Sequence, residues 1–180
     1  VQGTRDEAKA LRHNMEQDLG ARHSSDLFHG QHEVSQATSL HLARQVKQTA
    51  AVVTAAEASL EAARAYRAQV PRPRGRPPAF AARIDTALTD LIQVETEQNQ
   101  ALARQTQARE QIRELGTLYH PYDLASGSAQ SVERVAARFA DVWARLAKIA
   151  AAADVPTRAR ERLAKAQRLT VQWLATLAFF

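Results

Sequence analysis

The chain has 180 residues, the size of one ordinary domain or of one domain with an extension. Its hydrophobic fraction is 45%, much of it alanine, and only 6% of residues are aromatic, so the composition favours long packed helices over a compact α/β body. A net charge of +5 suits an acidic partner, nucleic acid first, while the lack of cysteine excludes disulfides and thiolate metal sites.

The cysteine-free composition fits a reducing cytoplasm, and the sequence lacks any run near the roughly 20 apolar residues of a membrane span. The start, Val1-Gln-Gly-Thr-Arg-Asp-Glu, has no apolar core behind a basic cluster, so it does not read as a secretory signal. It also lacks an initiator methionine, and the far end stops on the apolar run Leu174–Phe180. Both ends read as cuts through a longer polypeptide.

Residues 5–19 suit a short amphipathic helix, with Ala8, Leu11, Met15 and Leu19 at helical spacing and Gly20 placed to end it. Residues 21–30 read as a turn-rich connector with room for a brief strand. From Gln31 to Gln69 the apolar and small residues Leu42, Val46, Thr49, Val53, Ala56, Leu60, Ala63, Arg67 and Val70 alternate at spacings of four and three. That rhythm is a heptad seam, and its small residues permit close helix approach. The run Val70-Pro-Arg-Pro-Arg-Gly-Arg-Pro-Pro78 then breaks the helix, because proline removes donors and restricts its predecessor.

A second seam follows: Phe80, Ile84, Ala87, Leu91, Val94, Gln98, Ala101, Gln105, Ala108, Ile112 and Leu115. Two matched seams around a short break predict an antiparallel hairpin over 31–116, with Val70 near Phe80, Leu60 near Leu91 and Val46 near Gln105. Each arm would reach roughly 50 Å at about 1.5 Å per residue. Gly116 is expected to end the second arm, and residues 117–130 form a connector rich in turn formers. Ser131 can cap a third helix with the apolar face Val135, Phe139, Val142, Leu146 and Ile149, and Trp143 beside it. Pro156 suits the first turn of a fourth helix carrying Leu163, Leu169, Trp173, Leu174 and Leu177. The fold expected is all-α: a long antiparallel helical hairpin or coiled coil, a C-terminal helix pair over 131–180 packed at its base, and a short N-terminal helix-connector segment over 1–30.

Four local patterns carry chemistry. The hairpin tip at 71–78 contains Pro73-Arg-Gly-Arg-Pro77, which matches the AT-hook, a motif that lies along the minor groove of A·T-rich DNA. Flanking prolines keep such a backbone extended, glycine permits close approach, and arginines enter a narrow groove of strong negative potential. Arg72, Arg74, Gly75, Arg76 and Pro77 are therefore the candidate DNA-binding residues; the alternative is a rigid solvated turn. Asp26, His29 and His32 could share a metal, but Glu33 lies outside the histidine pair, unlike the zinc-protease pattern, and a helix cap by Ser24, Ser25 or Asp26 is the stronger reading. The loop Tyr119-His-Pro-Tyr-Asp-Leu124 is expected to pack Tyr119, Tyr122 and Leu124 against the helices rather than bind a small molecule. On the last helix Arg158, Arg162 and Lys165 fall on nearly one side, flanked in sequence by Arg160 and Arg168; they either track phosphates or form a solvated face. No Gly-rich phosphate loop, nucleophile elbow or catalytic triad is present.

Taken in order, Ser24-Ser-Asp-Leu-Phe-His-Gly-Gln-His-Glu33, Gly75-Arg-Pro-Pro78, Tyr119-His-Pro-Tyr-Asp-Leu124 and Ala178-Phe-Phe180 resemble a bacterial transposase-like family. In it an RNase H-type DDE catalytic domain is interrupted by a helical insertion. The resemblance implies that residues 1–30 are an edge of the catalytic domain and that Asp26 is its second catalytic, metal-binding aspartate. It also implies magnesium in a complete parent enzyme, where three carboxylates hold two ions for phosphoryl transfer. Asp26 alone cannot do so, and the isolated chain is expected to need no cofactor and to be inactive. The function expected is DNA or subunit contact in transposition; the rivals are a stand-alone minor-groove binder and a coiled-coil adaptor that binds a protein or itself.

Overall fold

The computed structural model describes residues 27–70, 79–118, 120, 122–123 and 125–177, apart from a few side chains near the two ends of that range. Among them run the helices α1 (Leu27–Gln69), α2 (Phe80–Leu118), α3 (Val132–Ala152) and α4 (Thr157–Leu177). The described residues contain no strand, only an isolated antiparallel bridge between Tyr122 and Ala129. They divide into two compact units. Those up to Ala37, with Gln111–Ala147 and those from Pro156 onward, form the first; Thr38–Glu110 and Lys148–Val155 form the second. The described residues are all-helical apart from turns and that bridge, and α1 and α2 pack on each other as an antiparallel hairpin.

In the second unit the hairpin follows from the two seams. Leu42, Val53 and Leu60 of α1 and Ala87, Ala101 and Ala108 of α2 are buried. Leu115 at the base is buried as well, Arg67 is exposed, and the remaining seam positions of both arms are half-buried. Direction is set by side chains from opposite ends of the two sequences. Tyr66 meets Phe80 with ring centroids 5.6 Å apart, while Leu42 and Ala43 share a cavity of about 170 Å³ with Gln105 and Ala108. Phe80 thus meets Tyr66, one turn before Val70. Helical threonines keep their hydroxyls satisfied by bonding back along the helix, as Thr49 does to the Gln45 and Val46 carbonyls and Thr96 to that of Ile92.

The end of α3 belongs to this unit and is closed by a tight cap. Asp154 adopts a left-handed φ of 46°. Its N–H donates to the Ala151 carbonyl, and the Val155 N–H donates to that of Ala150. Left-handed caps of this kind satisfy carbonyls that a helix end leaves orphaned. Val155 and Ala150 are both buried beneath the turn. The Ala153 carbonyl accepts from Gln45 Nε2 at 2.7 Å and lies 2.9 Å from His41 Nε2, so α1 supplies side chains to this helix end.

The first unit holds the larger side chains. Val135, Phe139, Val142, Trp143 and Leu146 of α3 are buried, as are Leu163 and Ala166 of α4 and Val34, Leu115 and Leu118 of the hairpin base. Phe139 and Trp173 meet edge-on, 5.8 Å apart. Trp143 Nε1 donates to Thr170 Oγ1 at 3.0 Å, and that hydroxyl donates in turn to the Gln167 carbonyl. The helix pair meets the base through Arg138 and Glu114, 3.2 Å apart. Ser131 caps α3 as expected, its Oγ accepting from the Arg134 N–H at 3.2 Å.

Two sequence expectations change. Gly116 does not end α2, which continues to the fully buried Leu118. A Cβ at Gly116 would sit 2.8 Å from Gln31 Nε2, and that amide donates to the Ile112 carbonyl at 2.9 Å. The glycine therefore makes room for a side chain crossing between helices. Pro156 stands at the first turn of α4 as expected, its carbonyl accepting from the Ala159 and Arg160 N–H groups. Tyr122, expected to pack against the helices, is 58% exposed and pairs by a backbone bridge with Ala129. Tyr119 and Leu124 lie outside the described residues, as does the short helix expected over 5–19.

Candidate nucleic-acid interface

The tip residues Arg72, Arg74, Gly75, Arg76 and Pro77 and the candidate catalytic residue Asp26 lie outside the described residues. The segments that carry the tip are described. The last turn of α1 closes through the Val70 N–H to the Tyr66 carbonyl, and the first turn of α2 through the Arg83 N–H to the Ala79 carbonyl. Tyr66 packs against Phe80, and the Arg83 guanidinium stands 5.3 Å above the Tyr66 ring. A cation over an aromatic face at this distance is attracted by the ring quadrupole. These three side chains clasp the arms beside the tip.

Sequence reasoning missed this clasp, although a signal was present. Tyr66 is the sole aromatic residue between Gln31 and Gln69, and Phe80 is the first residue of the second arm. Around the clasp, an open groove of about 810 Å³ is lined by Ala62, Ala63, Ala82 and Ala87 together with Tyr66 and Asp90. Arg64, Arg67 and Arg83 are exposed here, with Arg64 held 2.8 Å from Glu61. These cations add to the three arginines in the sequence of the tip, so this end of the hairpin is rich in positive charge. Such charge attracts a polyanion and orients it; it supplies no nucleophile or general base.

The remaining candidates are dispersed. His32 is exposed, and the side chain of His29 lies outside the described residues. Among the described residues no group of three His, Cys, Asp or Glu side chains could hold a metal ion. The loop after α2 is organised by its own aspartate. Asp123 Oδ1 accepts from the backbone N–H groups of Ala125 and Ser126 and from the Ser126 hydroxyl. The backbone bonds from Ser126 and Ala125 hold the carboxyl below its ordinary pKa. Gly127, at φ 69°, completes the turn. This is a self-contained turn rather than a ligand site.

On α4, Arg158, Arg160, Arg162, Lys165 and Arg168 are all exposed. Lys165 lies 4.0 Å from Glu33, the outer limit of an ion pair. Among the described residues no helix is long and apolar enough to cross a membrane. No protein-family model, curated protein or solved structure matches the chain.

Proposed function

We propose that the chain is the helical insertion region of a transposase-like protein and that it contacts DNA through the arginine-rich tip of its hairpin. The observation that carries this reading is the clasp of Tyr66, Phe80 and Arg83. It fixes the two helix ends between which Arg72, Arg74, Gly75, Arg76 and Pro77 are strung, and it adds exposed arginines on either side. A short arginine-glycine segment held at both ends loses less conformational freedom on entering a minor groove than a free one. The resemblance supplies a single catalytic carboxylate, Asp26, whereas a two-metal centre of this type needs three, so the chain alone neither cleaves nor joins DNA.

The test is binding of the purified chain to short duplexes, followed by fluorescence anisotropy. The expected result is a preference for A·T-rich over G·C-rich duplex that disappears in Arg74→Ala with Arg76→Ala. An unchanged preference in that double variant removes the tip as the reader, and magnesium-dependent cleavage by the chain overturns the view that it is inactive alone. A second reading, self-association through the hairpin, is favoured by Leu88, Ile92 and Leu102, which are 41%, 56% and 40% exposed on α2. A monomeric mass by light scattering at high concentration removes it.

A further inference from the structure

We infer that the outward basic face of α4 is a second nucleic-acid surface, one that binds the phosphate backbone without regard to sequence. The inference rests on the DNA reading above but on different residues. Arg158, Arg162 and Lys165 stand at i, i+4 and i+7, which at about 100° per residue puts them within roughly 60° of one another around the helix. Arg168 borders them one turn further on, and all four are exposed. Glu161 is the acidic residue on this flank, so the face keeps a clear positive excess. The four cations run along about 15 Å of helix, enough to span about four successive phosphates of a backbone that carries one charge per roughly 3.4 Å per strand.

The packing of α4 selects this partner over a membrane. A helix that lies on a lipid surface needs a free apolar stripe to insert between headgroups. In α4 that stripe is occupied: Leu163, Ala166 and Thr170 are buried, and Trp173 is half-buried against Phe139. Among the described residues of α4 the large apolar side chain left exposed is Val171, a single position rather than a stripe, so the broader surface open to an outside partner is the charged flank, whose long cations suit a polyanion backbone. Arginine also favours this partner, since its planar fork meets two phosphate oxygens at once. The weak contact of Lys165 with half-buried Glu33 does not compete, because a pair at 4.0 Å whose cation is largely in water contributes little and yields readily to a phosphate.

The experiment measures affinity of the full chain for A·T-rich and G·C-rich duplexes between about 50 and 200 mM salt, the interval over which phosphate contacts are most visible. The variant is Arg158→Gln, Arg162→Gln and Lys165→Gln together, with helicity checked by circular dichroism. The expected result is an equal loss of affinity for both duplexes and a salt slope smaller by roughly 2.7, about 0.9 per phosphate contact. The companion Arg158→Lys with Arg162→Lys keeps the charge and is expected to retain the slope. Unchanged affinity and slope in the Gln variant overturn the proposal. So does an equal loss in the Lys companion, which points to a structural role, and so does tighter binding of the wild-type chain to phosphatidylserine vesicles than to duplex. Loss of A·T preference in the tip variant with the α4 result unchanged separates the two surfaces, because only the tip reads sequence.

Discussion

The two compact units bury different materials. In the second, the hairpin seam is closed by alternating aliphatic and alanine positions, with Leu42, Val53 and Leu60 on one arm facing a partner arm whose fully buried residues are Ala87, Ala101 and Ala108. In the first, the core is built from Phe139, Trp143, Leu146, Val135 and Val142, with Trp143 also tied to Thr170 by a buried hydrogen bond. Burial stabilises in proportion to apolar area, at about 25 cal/mol per Å². The hairpin therefore spreads its stability thinly along many turns, whereas the helix pair concentrates it in a few side chains. A thin seam suits a device whose length matters more than its thickness; a dense core suits an anchor.

That contrast is broken most directly by truncation. Phe139→Ala is expected to cost about 3–5 kcal/mol in the first unit, against about 2 kcal/mol for Leu60→Ala in the second, where small neighbours permit partial collapse. Chemical denaturation combined with amide hydrogen exchange resolved by unit reads both values, and equal costs would refute the contrast. The reverse change probes the close approach of the arms. Ala101→Leu forces extra volume into a position 1% exposed and is expected to cost about 1–3 kcal/mol. If the variant is as stable as the parent, the arms are not closely packed at that turn.

Smaller effects sharpen the account of the helix ends. Asp154 occupies a left-handed conformation that glycine adopts freely. Asp154→Gly is expected to raise the stability of the second unit by about 0.5–1 kcal/mol, seen as a higher denaturation midpoint. The smallest effect is electrostatic. The carboxyl of Asp123 has a lowered pKa in the folded turn, chiefly through the backbone bond from Ser126. Its contribution is thus present above the unfolded pKa and lost as pH falls through the lower folded one. Nuclear magnetic resonance of the Ser126 and Ala125 amides is expected to show the turn opening only below the ordinary aspartate range, and not at all between neutral pH and that range.

Much of this architecture was legible before any coordinates. The seam positions from Leu42 to Val70 and from Phe80 to Leu115 became the buried and half-buried residues of the hairpin, with Arg67 the exception, because a four-three rhythm leaves one stripe that must be covered. The face Val135, Phe139, Val142, Leu146 and Ile149 was buried for the same reason. The errors fell on residues whose role depends on a distant neighbour. Gly116 has the identity of a helix terminator but serves as clearance for Gln31. Tyr122 has the identity of a packing residue but lies in a locally bridged loop and is 58% exposed. Of the candidate site, the sequence offered the tip arginines and the basic run of α4 as candidates, and it did not reveal the clasp of Tyr66, Phe80 and Arg83.

By itself, then, the sequence determined the helical class, the end of α1 and the start of α2, the residues that line each seam and the cap at Ser131. Each of these is a local matter of periodicity, proline and hydrogen-bonding side chains. Tertiary structure alone decided that Phe80 meets Tyr66, that Gln31 crosses to the Ile112 carbonyl, that Gln45 closes the end of α3, and which flank of α4 stays in water. Those are pairings between positions far apart in the chain, and they depend on the register in which the helices meet. Many registers bury an alanine-rich stripe almost equally well, so the choice among them is made by the few large or polar side chains that fit in only one.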